Sequence, residues 1–176
     1  MTDLKALIRT IPDFPEPGIQ YRDITTLLQD ADGLREAVRR MAEPYRANPP
    51  DVVAGLDARG FIFGGAVAVE LGCGFVPIRK AGKLPGETVG KDYDLEYGSA
   101  TLQLHTHGRS KGERVLLIDD LIATGGTALA GLALLREVGA DVIGAGFLVD
   151  LPDLGGKAKL EAEGVPVQAL VAFAGH

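Results

Sequence analysis

Two adjacent carboxylates, Asp119 and Asp120, stand just ahead of a turn rich in hydroxyls and glycine, Ala123-Thr124-Gly125-Gly126-Thr127. Glycines let a chain turn sharply and bring backbone N–H groups close to an anion. Thr124 and Thr127 add hydroxyl donors for phosphate oxygens. The acids can accept from vicinal sugar hydroxyls or hold a divalent ion. Taken separately, a glycine turn between a strand and a helix need bind nothing, and an acid pair can be a solvated turn. Taken together, the types and spacing describe a site for a sugar phosphate. The stretch is not a P-loop, because no Lys follows the glycines, and it lacks the three-glycine dinucleotide fingerprint.

The elements around it are those such a site requires. The apolar run 115–118 reads as a buried strand that ends at the acid pair, and 128–138 reads as a helix. The start of that helix adds unpaired N–H donors and a partial positive charge beside the turn. Further strands are expected over 51–56, 74–78, 142–149 and 167–173, with a loosely alternating one over 95–106. Helices are expected over 32–45, where Leu34, Val38, Met41 and Tyr45 share a face, and over 60–71, where Gly64 and Gly65 permit close packing on a sheet. A short helix is expected over 154–163. A first helix over 2–11 would gather Leu4, Leu7, Ile8 and Ile11. Residues 12–18 carry three prolines and a glycine and form an ordered loop, after which 18–26 reads as extended. The segment 81–93 has no clear period and is expected to be a mobile loop. Strands separated by helices predict an α/β fold, a parallel sheet with helices on both faces. Ligands in such folds bind beyond the carboxyl ends of the strands, where loops here begin at Asp57, Arg79, Asp119 and Asp150.

Length and charge narrow the function further. At 176 residues the chain suits one domain. A net charge of −6 argues against a general nucleic-acid or membrane-surface binder, so neither partner is expected. Against that background Arg79, Lys80, Lys83 and Lys91 form a local basic segment, which fits a small anionic ligand. The single cysteine, Cys73, precludes an intrachain disulfide and is expected to be a small buried hydrophobe. The first ten residues carry Asp3, Lys5 and Arg9 without an apolar core, so no secretory leader is read there and a cytoplasmic location is expected. His105 and His107 would share one face of a strand, but no thiolate or carboxylate set accompanies them and no metal site is read there.

The turn at 119–127 resembles the phosphoribosyl diphosphate (PRPP) motif of the type I phosphoribosyltransferases. Four more segments resemble the adenine-specific branch of that family, in order along nearly the whole chain: 12–25 around Phe14-Pro15-Glu16-Pro17-Gly18, then Gly55-Leu56-Asp57-Ala58-Arg59-Gly60-Phe61, then Ile78-Arg79-Lys80-Ala81-Gly82-Lys83, then Tyr93-Asp94-Leu95-Glu96-Tyr97-Gly98. The resemblance implies the family fold, a central sheet flanked by helices. A small N-terminal hood would span about 1–30 and a flexible catalytic loop about 81–95. It implies a homodimer and a Mg²⁺-dependent transfer joining adenine to PRPP, with AMP and pyrophosphate as products.

It also implies residue roles. Ala123, Thr124, Gly125, Gly126 and Thr127 would cradle the 5′-phosphate, and Asp119 and Asp120 would hold the ribose hydroxyls. Asp57, Ala58, Arg59, Arg79, Lys80 and Lys83 would meet the diphosphate, with a cis peptide at Asp57–Ala58 and some of the basic residues reaching a neighbouring subunit's site. Mg²⁺ would be held mainly by substrate and water. The 6-oxopurine relatives carry an extra Asp before the Thr-Gly turn; this chain has Ala123 there. Glu96 matches the family's catalytic glutamate and would take the purine proton. Tyr21, where the family commonly has Phe, would stack on adenine, with Leu151 on the other ring face. The Gln20 carbonyl would accept from the exocyclic amine and the Arg22 N–H would donate to N1, a pair that rejects hypoxanthine. Two other readings stay open at this level: transfer to another purine, and a non-catalytic regulator of the same fold that senses PRPP or nucleotides.

Overall fold

The computed structural model describes residues 1–95, 98–108 and 111–175. In chain order the elements are β1 (Arg9–Pro12), β2 (Gln20–Asp23), α1 (Thr25–Gln29), α2 (Ala31–Ala42), β3 (Val52–Leu56), α3 (Gly60–Leu71), β4 (Gly74–Lys80) and β5 (Thr88–Asp94). They continue with β6 (Ser99–His105), β7 (Arg114–Ile122), α4 (Gly126–Glu137), β8 (Asp141–Asp150), α5 (Gly156–Ala162) and β9 (Val167–Ala172). Short 3₁₀ turns occupy Glu43–Tyr45 and Pro152–Leu154.

Seven strands form one sheet in the order β5-β6-β4-β3-β7-β8-β9, and β1 pairs with β2 in a separate two-stranded sheet. The strands from β4 to β9 in that order run parallel, whereas β5 and β6 are antiparallel additions at one edge. The expectation of a parallel sheet therefore holds for its centre and not for this edge. In the centre, β3 and β7 are buried on both faces, as parallel strands are when helices cover both sides. Ala54, Leu56, Val115 and Leu117 point into one apolar cluster with α4, while Val53, Leu116 and Ile118 point into another with α2 and α3. Alternation along two adjacent strands thus divides the core between two layers. Cys73 is only partly buried, at the margin of the second cluster, so the expected burial is incomplete.

Several boundaries differ from the sequence expectation, each for a physical reason. The helix expected over 2–11 is a set of turns followed by β1. Asp3 accepts from the N–H groups of Lys5 and Ala6, the next bonds are of the i to i−3 kind, and Arg9–Pro12 then pairs antiparallel with β2. Leu4 and Ile8 are buried all the same, so the helical spacing reports a buried side and not a helix. The extended reading of 18–26 holds for β2 but gives way to α1 at Thr25. Much of the expected mobile loop, Thr88–Asp94, is β5, held in register with β6 from Thr88 opposite His105 to Asp94 opposite Ser99. The strand 115–118 does not stop at the acids; β7 runs through both to Ile122, with its last residues paired to Val149 and Asp150. The helix α3 matches its expected span. Of the two glycines expected to permit close packing, Gly64 does so, since a Cβ there would lie 2.8 Å from the Phe75 ring, whereas a Cβ on Gly65 would meet nothing within 4 Å.

Candidate functional site

Three adjoining cavities open where β3 and β7 end. The smallest, about 80 Å³, is lined by Asp119, Leu121 and the whole turn Ala123, Thr124, Gly125, Gly126 and Thr127. Gly125 caps α4 with φ +90°, a conformation that side chains disfavour. The turn is buttressed from behind. The Gly156 N–H donates to the Ala123 carbonyl at 3.0 Å, and Lys159 Nζ donates to the Thr124 carbonyl at 3.2 Å. The contact is so close that a Cβ on Gly156 would lie 2.4 Å from the Ala123 carbonyl oxygen and 2.6 Å from the Gly125 nitrogen. First-turn N–H groups of α4 have no partner within the helix and face this recess as a ready anion site.

The second cavity, about 510 Å³, has Asp57, Ala58, Arg59, Lys80, Asp119, Asp120 and Thr127 in its wall. The Asp57–Ala58 peptide is cis, as the resemblance implied. Asp57 accepts from Arg79 Nε at 3.2 Å and from the Lys80 N–H at 3.3 Å. Arg59 Nε donates to Asp120 Oδ2 at 2.6 Å; that carboxylate is 8% exposed while the guanidinium side is half open. Burial works against the charge on Arg59, but Asp120 outweighs it and leaves the guanidinium more basic than usual, with Tyr21 and Asp119 contributing. Asp119 takes the opposite course. Burial raises its carboxyl well above the ordinary range, and the Asp120 charge beside it raises it further. Gly60 lets α3 begin against this pair, since a Cβ there would lie 2.9 Å from Asp119 Oδ1.

The third cavity, about 210 Å³, is mostly apolar and slot-like in its lining: Ile19, Gln20, Tyr21 and Arg22 from the hood, Leu151 and Leu154 from the far side, and Arg59 and Leu121 at the base. Phe14 meets Tyr21 edge to face, with ring centroids 5.2 Å apart. All four residues expected around a base therefore meet in one place.

The structure gathers most of the remaining expected residues too. Arg79 does not line the three cavities; it turns to Asp57 and lies over the Phe61 ring, 5.7 Å from its centroid. Lys83 is exposed on the connection between β4 and β5. Glu96 lies outside the described residues. Leu121 escaped the sequence reading although it lines all three cavities. Its signal was the strand continuing past the acids, which puts Asp119 and Leu121 on one face by alternation. Leu154, Tyr93 and Leu95 were also missed, because each reaches its cavity from a separate segment.

Residues 24–163 match the phosphoribosyl transferase domain family. The chain belongs to that family. Its similarity to the adenine phosphoribosyltransferases extends over almost the full length. The adenine phosphoribosyltransferase of Maricaulis maris is 58% identical over 173 residues, covering 98% of this chain and 99% of that one. The crystal structure of the adenine phosphoribosyltransferase of Rhodothermus marinus superposes with a TM-score of 0.90 at 46% identity, covering 97% of this chain and 96% of that one. The Saccharomyces cerevisiae enzyme, solved with an imino-altritol bisphosphate and adenine, gives 0.89 at 35% identity, with 96% of each chain covered. Both the local cavity arrangement and the whole-chain likeness thus point to a phosphoribosyltransferase.

Proposed function

We propose that this chain transfers the phosphoribosyl group of PRPP to adenine, forming AMP and pyrophosphate, as one catalytic domain. The observation that carries the reading is the order of the three cavities. A glycine-lined anion recess, a wall of acids and cations, and an apolar slot adjoin one another through the shared Leu121. A phosphorylated pentose with its 5′-phosphate at 123–127 would place its hydroxyls at Asp119 and Asp120. Its diphosphate would face Asp57, Ala58, Arg59 and Lys80, and its anomeric carbon the slot.

In the slot, adenine would stack on Tyr21 with Leu151 behind it. The Gln20 carbonyl would accept from the amine and the Arg22 N–H would donate to N1. The bond from purine N9 to C1 forms as the bond from C1 to the diphosphate oxygen breaks, with inversion and an oxocarbenium-like transition state. The electron pair of the broken bond leaves with pyrophosphate, where Arg59 and Lys80 supply positive charge. The N9 proton passes to Glu96, the residue the resemblance assigns as base.

Mg²⁺ fits the donor set, since the wall offers hard carboxylate oxygens on Asp119 and Asp120. Bound with the substrate, it would neutralise diphosphate charge. We also read the molecule as a homodimer. Helix α3 exposes Ile62 and Val69 (43% and 82%), an apolar surface that a second copy would cover, and Lys83 is exposed and able to reach across. No described helix is long and apolar enough to cross a membrane, and a cytoplasmic location completes the reading.

The test is to incubate the protein with PRPP and Mg²⁺ and, in parallel, adenine, hypoxanthine, guanine or xanthine, detecting pyrophosphate and nucleotide. Adenine alone should give rapid product. Equal turnover of an oxopurine would move the reading to another base, and binding of PRPP without turnover of any base would make the protein a sensor. The Glu96→Gln variant should lose about a hundredfold in kcat while binding PRPP normally, and full activity would remove Glu96 from its role.

A further inference from the structure

The two walls of the apolar slot lie outside the seven-stranded sheet. One is the β1–β2 hairpin, a two-stranded sheet of a kind that is marginal alone. The other is the three-residue turn Pro152–Leu154 with Leu151 before it. A stacking slot needs a fixed width, because dispersion attraction falls away within a fraction of an ångström of gap. Something must hold these two short pieces apart by a constant distance.

The segment immediately after β9 touches both. The Phe173 N–H donates to the Asp150 carbonyl at 3.1 Å, so the end of β8 fixes where the ring sits. The Arg22 guanidinium lies over that ring, 4.5 Å from its centroid, and the Lys5 ammonium lies 4.9 Å from it. Arg22 then grips the segment and the hairpin together. Its Nη2 donates to the Ala174 carbonyl at 3.2 Å and its Nη1 to Thr10 Oγ1 on β1 at 2.6 Å. Two residues beyond Phe173, the Gly175 N–H donates to Asp153 Oδ2 at 2.7 Å, inside the opposite wall. Phe173 also packs in the apolar cluster that holds Leu151 and Leu154.

We propose that residues 173–175 act as a positioning strap that ties the hood to the 151–154 turn and so sets the width of the base slot. Phe173 does not line the slot; it acts through Arg22, which does. The proposal rests on the slot being the adenine site. Its consequence is selective. Loosening the strap should weaken capture of the flat base and leave the phosphate recess alone, because that recess is buttressed separately by Gly156 and Lys159.

The experiment compares wild type, Phe173→Ala and Phe173→Tyr in steady-state kinetics, varying adenine and PRPP in turn, with amide hydrogen exchange followed across 19–23. The alanine variant should raise the adenine KM about tenfold and exchange faster in the hood, with kcat and the PRPP KM within about twofold, and tyrosine should restore both. An unchanged adenine KM with unchanged exchange would overturn the strap. So would a parallel rise in both KM values with early thermal unfolding, which is what a merely structural residue gives. If Phe173→Ala does not fold, Asp153→Ala releases the other end and must show the same split. A wild-type protein that makes no AMP from adenine would sink the functional reading, and the exchange comparison would still decide whether 173–175 holds the hood.

Discussion

The phosphate end and the base end of the cavity system are built in opposite ways. On the proposed reading the phosphate recess is made from consecutive residues, Ala123 to Thr127, whose backbone N–H groups would bind the anion; side chains there are small and Gly156 supports the turn from behind. The base slot is lined by residues brought from four places: the hairpin, the turn at Arg59, the end of β7 and the turn after β8. A backbone site tolerates a change of side chain but not a shift of the loop. A side-chain site assembled from separate segments can be disturbed from residues that never touch the ligand.

Arg59 tests that contrast most severely, because it lines both the slot and the acid-and-cation wall. Replacing it with alanine would remove one of the two cations proposed to face the diphosphate and leaves the buried Asp120 carboxylate without its partner. The expected loss in kcat/KM is about a thousandfold, roughly 4 kcal/mol, with both substrates' KM values rising. Steady-state kinetics with each substrate varied would check it. If only one KM moved, Arg59 would belong to one end and would not join the two.

Gly156→Ala should come next and should act on one end alone. The added methyl would lie 2.4 Å from the Ala123 carbonyl oxygen, a contact with backbone that no side-chain rotation relieves. We expect kcat/KM for PRPP to fall about a hundredfold while the adenine KM changes little. Equal losses for both substrates would show that the recess and the slot are mechanically coupled.

The same division explains what could be read from the sequence. The recess was legible because its parts are contiguous: acids, hydroxyls and glycines in order announce an anion site by their types and spacing alone. The parallel centre of the sheet was legible for a similar reason, since β3 and the first half of β7, Val115 to Ile118, are apolar runs flanked by charged residues. The slot was not legible from pattern. Gln20, Tyr21, Arg22 and Leu151 came only from resemblance, and Leu121 and Leu154 were missed because nothing local marks a residue that reaches a cavity from its own segment. The errors over 2–11 and 88–94 share one cause. In each, pairing with a neighbouring strand decided the outcome: β2 holds Arg9–Pro12 after the turns at 4–8, against a local helical spacing, and β6 holds Thr88–Asp94, where no period was visible.

Tyr21→Ala probes the slot directly. Removing the ring should raise the adenine KM about tenfold, in line with a base–aromatic stack of about 1–3 kcal/mol, and leave the PRPP KM alone. Tyr21→Phe should stay within about twofold, because the stack survives and only the hydroxyl near Arg59 is lost. A large effect of Tyr21→Phe would show instead that the hydroxyl, and not the ring alone, is needed in the slot.

The smallest expected effect is a difference in pH response between the two ends. At the base of the hood Asp23 accepts from the Thr25 hydroxyl at 2.6 Å and from Arg9 Nε at 3.1 Å. Those bonds, Thr25 first and then Arg9, lower its carboxyl to about 2, against an ordinary value of 3.8. Between these values the unfolded chain binds more protons than the folded one, so this contribution is fully present above about pH 4 and is lost as pH falls towards 2. Asp119 has the reverse sign. Its carboxyl is raised, so in the substrate-free protein the folded state binds the proton more readily, and acidification from neutrality relieves the charge crowding beside Asp120. Amide exchange should therefore show the hood loosening below about pH 4 while the end of β7 does not, and Asp23→Asn should abolish the hood's response. A hood that loosened equally in the variant would mean that its attachment to the domain depends on some other carboxylate, such as Asp153 at the far end of the strap.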